Sequence, residues 1–154
     1  MLRDSASNQK LLEVYSRADV DADAASSEID LQGFGSVAIH AILAGHTGAT
    51  LDASNKIELE VTESDTSGGV FTAVPDNFLT NFVTGATNTG TFALLDDEGA
   101  ATIGTSGAHK EYKTSYVGNK RYIKININET GDIQGTVSIG VNAILSKPGN
   151  APVS

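Results

Sequence analysis

The sequence contains no cysteine and no tryptophan, and it has only three prolines and one methionine in 154 residues. The absence of cysteine excludes disulfide bonds, thiolate nucleophiles and cysteine-ligated zinc or iron–sulfur clusters. No stretch approaches the roughly 18 consecutive apolar residues of a membrane span, and the first residues lack the apolar core of a secretion signal. We therefore expect a soluble protein with no membrane partner and no cleaved leader.

Positive charge is also scarce. Ten Lys and Arg residues stand against 19 Asp and Glu residues, which gives a formal net charge of −9 and a sequence pI near 4.6. An acidic chain repels a phosphate backbone, so we expect no nucleic-acid partner. With 40% hydrophobic and 19% charged residues, the composition is that of a folded chain, of a length usual for one domain.

Helical periodicity is missing, and a period of two residues takes its place from Ile29 onward. Such alternation is typical of strands with one buried face. Without helices long enough for the crossovers of a parallel sheet, the strands should pair antiparallel. The sequence thus predicts an all-β fold, an antiparallel, jelly-roll-like β-sandwich. The clearest predicted strands cover residues 35–43, 56–62, 122–128 and 137–145.

The connections between these strands carry turn signals. Residues 129–132 read Glu-Thr-Gly-Asp, which predicts a β-hairpin between the last two strands. Residues 64–108 are rich in Gly, Thr, Ser, Asn and Asp, which predicts loops and short strands. Within them, Pro75-Asp76-Asn77 followed by Phe78 and Phe82 predicts a single helical turn.

The two ends of the chain differ from its middle. Residues 1–25 are polar and predict an extended N-terminal arm, residues 26–147 the β-sandwich, and residues 148–154 a C-terminal tail. The few apolar side chains of the arm can pack on their own domain or reach a neighbouring subunit. They are Leu11, Leu12, Val14 and Tyr15.

One acidic stretch resembles a calcium loop. Asp19, Asp21 and Asp23 alternate, and Asp30 stands at the twelfth position, as in an EF-hand. However, Ala24 occupies the position at which the sharp turn needs Gly, and Asp30 replaces the longer bidentate Glu. A solvated acidic tether explains the stretch more simply, so we predict no metal there.

No constellation of residues predicts catalysis. His40, His46 and His109 have no metal-binding spacing and no Ser or carboxylate dyad in sequence. The carboxylates at 58, 60, 63 and 96–98 could include a glycosidase pair. A solvent-exposed strand face explains the first three more simply, and an acidic turn explains the run at 96–98. We therefore predict that the protein is not an enzyme and that it needs no cofactor.

The most distinctive segment is Tyr-Val-Gly-Asn-Lys-Arg-Tyr at residues 116–122. Its aromatic and basic residues could suggest binding of single-stranded nucleic acid, which the net charge disfavours. Strand parity puts Arg121 on the same face as Ile123 and Ile125. We therefore predict that Arg121 is partly buried and acts as a structural clamp on an acceptor partner.

This segment, the strand at 137–145 and the ending at 147–153, which closes in Ala-Pro-Val, resemble a family of small virion proteins of tailed bacteriophages encoded among the head genes. Residues 30–37 and 57–65 are also similar, so the likeness covers most of 29–153. The resemblance implies a capsid decoration, or cement, protein: a β-sandwich on the capsid exterior that bridges major capsid subunits. It also implies a homotrimer, found in the virion and, during assembly, in the host cytoplasm. It brings no catalytic residues with it, and a neck or tail component is the closest alternative.

A cement protein needs surfaces for its partners, the major capsid protein and further copies of itself. The arm and the tail are the predicted contact segments, and the predicted contact residues are Leu11, Leu12, Tyr15, Tyr116, Lys120 and Tyr122. A rival hypothesis is a β-sandwich that binds carbohydrate or a host surface. The absence of tryptophan and an aromatic content of 6% count against it.

Overall fold

The computed structural model describes residues 8–49, 51–81, 89–95 and 110–149. In these residues the regular structure is ten strands and one turn of 3-10 helix at Asp76–Phe78. None of the described segments is a helix that could span a membrane. The strands are β1 Gln9–Val20, β2 Ala24–Ala25, β3 Ile29–Asp30, β4 Phe34–Thr47, β5 Lys56–Ser64, β6 Thr72–Ala73, β7 Thr91–Leu95, β8 Lys110–Tyr116, β9 Tyr122–Thr130 and β10 Thr136–Pro148.

The strands form two antiparallel sheets. Sheet A has the order β1-β10-β4-β8, and sheet B has the order β2-β9-β5-β6, with β3 also paired to β9 and β7 also paired to β5. In sheet B, β2 and β3 both lie beside β9, and β6 and β7 both lie beside β5, so each sheet has four strand positions. Two four-stranded antiparallel sheets are the layers of a jelly roll. The predicted all-β, antiparallel sandwich is confirmed.

One hydrophobic core fills the space between the sheets. In the four long predicted strands, buried residues mostly alternate with half-buried or exposed ones; consecutive residues are buried at 43–45 of β4, 61–64 of β5 and 139–141 of β10. The inward residues are mostly Ile, Val and Leu, whose branched side chains suit a pleated surface. The largest fully buried side chains are Ile29, Ile39, Leu43, Ile57, Leu59, Ile123, Ile125, Ile127, Ile133 and Ile139.

The predicted hairpin between β9 and β10 is wrong. β9 lies in sheet B and β10 in sheet A, so residues 131–135 cross from one layer to the other. Gly131 (φ 79°) and Gln134 (φ 53°) turn the chain in the left-handed region. A Cβ at Gly131 would lie 2.4 Å from the carbonyl oxygen of Ser54, so this crossing requires glycine. Both strands keep the expected parity because each buries one face against the same core.

The N-terminal segment forms part of the sandwich. Residues 9–20, expected as part of an arm, instead form the edge strand β1, paired with β10, and β2 pairs with β9. Val14 and Val20 are buried in the core. Of the two arrangements left open, the described arm residues adopt packing on their own domain.

The remaining predicted segments fall partly within the described residues. The helical turn is present as the 3-10 turn at Asp76–Phe78, after Pro75 and without a side-chain cap. Asp76 Oδ1 instead accepts a hydrogen bond from the Gly90 amide at 3.2 Å. Of the predicted tail, Pro148 ends β10 and the Gly149 amide donates to Gly33 O at 2.7 Å. Phe82 and residues 150–154 lie outside the described residues.

Candidate partner-binding groove

A buried hydrogen bond ties the two sheets together at one end of the sandwich. The Tyr116 hydroxyl, at the end of β8 in sheet A, donates to Glu63 Oε2 on β5 in sheet B at 2.5 Å. Tyr116 is 3% exposed and Glu63 8% exposed. The same hydroxyl accepts a hydrogen bond from the Lys120 amide at 3.0 Å. One phenol therefore joins both layers and the loop that follows it.

Burial raises the pKa of Tyr116 above its ordinary value, and the hydrogen bond to the Glu63 carboxylate raises it further. The neutral, donating form of the phenol is thereby favoured. Gly118 is needed for this geometry, because a Cβ there would lie 2.3–2.5 Å from the hydroxyl and ring carbons of Tyr116. The loop backbone thus passes directly over the ring, which only glycine permits.

Two ion pairs hold the rest of the loop. Lys120 Nζ donates to Asp65 Oδ2 at 2.5 Å, and this contact raises the pKa of Lys120. Arg121 binds Asp30 in a bidentate manner, with Nε to Oδ1 at 3.0 Å and Nη2 to Oδ2 at 2.8 Å. The hydrogen bond from Arg121 lowers the pKa of Asp30. Both cations of the loop are therefore paired with a carboxylate from another part of sheet B or its loops.

Arg121 has the predicted kind of partner but not the predicted burial. Its side chain is 43% exposed, and β9 begins one residue later, at Tyr122. The parity of the strand therefore does not extend to Arg121. Its guanidinium lies 4.9 Å from the ring centre of Tyr122, over the outer side of the sheet.

A groove of about 470 Å³ lies beside this loop, between the start of β4, the end of β8 and the end of β10. Its volume falls within the range of pockets that bind ligands. Val117 stands at the groove with 60% of its surface exposed. The groove is lined by the apolar Leu31, Phe34, Val37, Tyr116 and Val117 and by the cations Lys120, Arg121 and Lys147.

Lys147 gives the groove its unpaired charge. Among the described residues no carboxylate pairs with it, whereas Lys120 and Arg121 each have one. Lys147 has φ 55°, a backbone conformation that residues other than Gly and Asn seldom adopt. Its Cβ lies 3.4 Å from the position of a Cβ at Gly35. The groove thus joins an apolar floor to a local excess of positive charge in an acidic protein.

The six predicted contact residues are not on one surface. Tyr116 is buried and forms part of the groove lining, where Lys120 also lies. Tyr122 is half-buried on the outer face of sheet B. The other three lie on β1: Leu11 is 69% exposed, whereas Leu12 and Tyr15 pack against the core.

The other polar candidates occupy separate positions. Asp19 lies on β1 in sheet A and Asp30 on β3 in sheet B, paired to Arg121, so the calcium loop is not formed. No group of three or more His, Asp or Glu in the described ranges could hold a metal. His40 Nε2 lies 3.4 Å from Glu111 Oε2, and His46 Nδ1 is buried without a partner in the described part of the chain. His109 and residues 96–98 lie outside it.

Sequence reasoning did not single out Glu63, Asp65 or Lys147 as part of this site. A signal for Glu63 was present, since it continues the buried parity of Ile57, Leu59 and Val61. A carboxylate in that position needs a buried donor. Nothing in the local sequence indicates that Lys147 lies across from the 116–121 loop, because that proximity depends on the pairing of β10 with β4.

The sequence matches no protein-family model and no curated protein. Among solved structures it is similar to the SPBc2 prophage-derived protein YomS, with 14% identity and a TM-score of 0.44, over 91% of this chain and 94% of that one. It is similar to the PBSX exported protein XepA, with 15% identity and a TM-score of 0.46, over 94% of this chain and 39% of that one. It is also similar to TmCBM61 in complex with β-1,4-galactotriose, with 13% identity and a TM-score of 0.42, over 92% of this chain and 84% of that one. Likeness at these values concerns the β architecture alone.

Proposed function

We propose that the protein is a structural component of a tailed-bacteriophage virion. In this proposal it binds the outer surface of the head, contacts the major capsid protein and stabilises the junctions between capsid subunits. It performs no catalysis and needs no cofactor. It acts as a homotrimer on the virion, after assembly in the host cytoplasm.

The observation that carries the proposal is the way in which the 116–122 segment is used. This is the segment by which the sequence resembles phage head proteins, and its polar side chains hold the mouth of a groove. Tyr116 binds Glu63, Lys120 binds Asp65 and Arg121 binds Asp30. These contacts hold the loop in one conformation, which suits a docking surface. They also engage its polar groups, which favours binding over catalysis.

The groove favours a protein partner that presents an apolar side chain next to a carboxylate. Its floor is apolar, and Lys147, which no carboxylate of the described residues pairs with, gives it a charge opposite to the net −9 of the chain. Such complementarity sets orientation and specificity more than affinity. A trimer on a repeating lattice multiplies modest single contacts into stable attachment, so a groove of this size is sufficient.

The test measures attachment to capsids of the encoding phage from which the protein has been removed. Val117→Asp places a carboxylate at the groove, where it repels an acidic partner and removes an apolar contact. Val70→Asp is the matched control, since Val70 is 85% exposed and does not line the groove. We expect co-sedimentation of the natural chain and of Val70→Asp, and loss of it for Val117→Asp.

Failure of the natural chain to co-sediment would refute the head-binding role. Equal binding of both variants would refute the groove as the contact. Immunogold labelling of intact virions separates the head from the neck or tail, and label confined to the tail would replace a decoration protein by a tail component. Light scattering of the purified chain tests the trimer, and a monomer at high concentration would contradict it.

A further inference from the structure

The outer face of sheet B presents an unusual row of polar side chains on its two central strands. β5 and β9 pair without a register shift from Lys56–Thr130 to Ser64–Tyr122. Since the inward residues of both strands are buried, the residues between them in sequence face outward. From Tyr122 to Asn128 this row extends for roughly 20 Å along β9.

At the Asn128 end of the row, two amides converge on one carboxylate. Asn126 Nδ2 and Asn128 Nδ2 both donate to Glu60 Oε2, at 3.1 and 3.2 Å. All three residues are half-buried, so the neighbouring strands restrict their side chains. Both amide oxygens and Glu60 Oε1 have no other partner among the described residues. The cluster is therefore ordered in advance and still offers acceptors to a ligand.

Two aromatic rings lie towards the other end of the same face. Tyr122 is on β9, and Phe71 precedes β6, which pairs with β5. Lys124 Nζ lies 4.4 Å from the ring centre of Phe71, which places that ring beside the outward row. The face thus combines hydrogen-bonding groups at one end with apolar ring surface at the other.

The charge of this face is close to balanced. Its described charged groups include three cations and four carboxylates, although the whole chain carries −9. A nearly balanced face neither attracts a polyanion nor suits the interior of a protein interface, where Lys, Glu and Asp are depleted. The cations are Lys56, Arg121 and Lys124, and the carboxylates are Glu28, Asp30, Glu58 and Glu60.

We propose that the outer face of sheet B binds a neutral, unbranched oligosaccharide. Neighbouring hydroxyl groups of a sugar both donate and accept, and they match the amide and carboxylate oxygens around Glu60. The carbon-bound hydrogens of the next sugar units pack against the parts of the Tyr122 and Phe71 rings that Arg121 and Lys124 leave uncovered. The length of the row suits a chain of several units. This surface lies on the layer opposite to β4 and β10, and a virion protein with it would bind both a capsid and a glycan.

The experiment uses a printed array of neutral gluco-, galacto-, xylo- and manno-oligosaccharides, followed by isothermal titration of the best binder. The test variant is the double substitution Asn126→Thr and Asn128→Thr, because threonine is well suited to strands. The matched control is Asn142→Thr, which changes an outward, half-buried asparagine of β10 in sheet A. Circular dichroism melting verifies that each variant is folded.

We expect specific binding by the natural chain and by Asn142→Thr. The double variant should bind roughly 30-fold more weakly, as the loss of about two hydrogen bonds implies. If that variant does not fold, Glu60→Gln, which keeps the side-chain shape, should weaken binding in its place. Binding to no neutral glycan, binding to anionic glycans alone, or unchanged binding by the folded variants would overturn the proposal. Val117→Asp should retain glycan binding, so failure of the capsid role is distinguishable.

Discussion

Two tyrosines on β8 allow a sharp test of the link between the sheets. Tyr116 and Tyr112 lie four residues apart on the same inward parity, opposite Val37 and Ala41 of β4. The Tyr116 hydroxyl has a buried carboxylate as its partner. The Tyr112 hydroxyl is buried without a hydrogen-bond partner in the described part of the chain. The same substitution, Tyr→Phe, should therefore have opposite effects.

Tyr116→Phe removes a hydrogen bond to a charged group and leaves Glu63 buried without its donor. We expect the free energy of unfolding to fall by about 2–3 kcal/mol, which lowers Tm by roughly 5–10 °C for a chain of this size. Tyr112→Phe removes an unsatisfied polar atom, so stability should be unchanged or should rise by up to about 1 kcal/mol. Urea titration followed by circular dichroism measures both, since there is no tryptophan to report unfolding.

The pH dependence gives an independent reading. Because the pKa of Tyr116 is higher in the folded than in the unfolded protein, its contribution is complete below about pH 10, the ordinary tyrosine pKa, and is lost as the pH rises further. The natural chain should lose stability above that pH more steeply than Tyr116→Phe. Equal destabilisation by both Tyr→Phe substitutions, or parallel pH curves for the natural chain and Tyr116→Phe, would refute this account of the bond.

Three further predictions concern the loop and the N-terminal strand. Gly118→Ala should displace the phenol ring below it and cost about 1–3 kcal/mol in urea titration, whereas Gly149→Ala, where a Cβ would make only an ordinary contact of 3.8 Å with Gly33 O, should cost little. Asp30→Asn should lower Tm slightly at low salt, and the difference in Tm from the natural chain should vanish in high salt because salt screens the ion pair. The difference should also vanish as the pH falls below about 4, because the pKa of this carboxyl is lowered in the fold. Deleting residues 1–25 should give insoluble protein rather than a folded body, and a cooperative melt would contradict it.

The long strands could be predicted because burial alternates along most of their length. β1 could not, since its pairing with β10 has two register shifts, between Glu13 and Tyr15 and between Tyr15 and Ala18. Each shift interrupts the period of two, so the apolar residues of this strand resemble an irregular cluster. The hairpin prediction failed because turn residues indicate a change of direction and not which sheet receives the next strand.

The loop of the site was predictable, but the residues that it contacts were not. The sequence identified the 116–122 segment and a clamp at Arg121, because a basic and aromatic turn stands out in an acidic chain. Its partners Glu63, Asp65 and Asp30 lie 53, 55 and 91 positions away. Bringing them together depends on strand order, which a single sequence does not specify.

The central place of β10 affects how the chain can be synthesised and folded. β10 pairs with both β1 and β4, although it is translated after the nine other strands of the described residues. Until it leaves the ribosome, β1 lacks its only partner among the described strands of sheet A, and an edge of β4 stays open. Folding must therefore await the last part of this sequence, and during that interval the open edges can capture strands of other nascent chains. A frameshift or premature stop before residue 136 would thus abolish the whole body, not only one end of it.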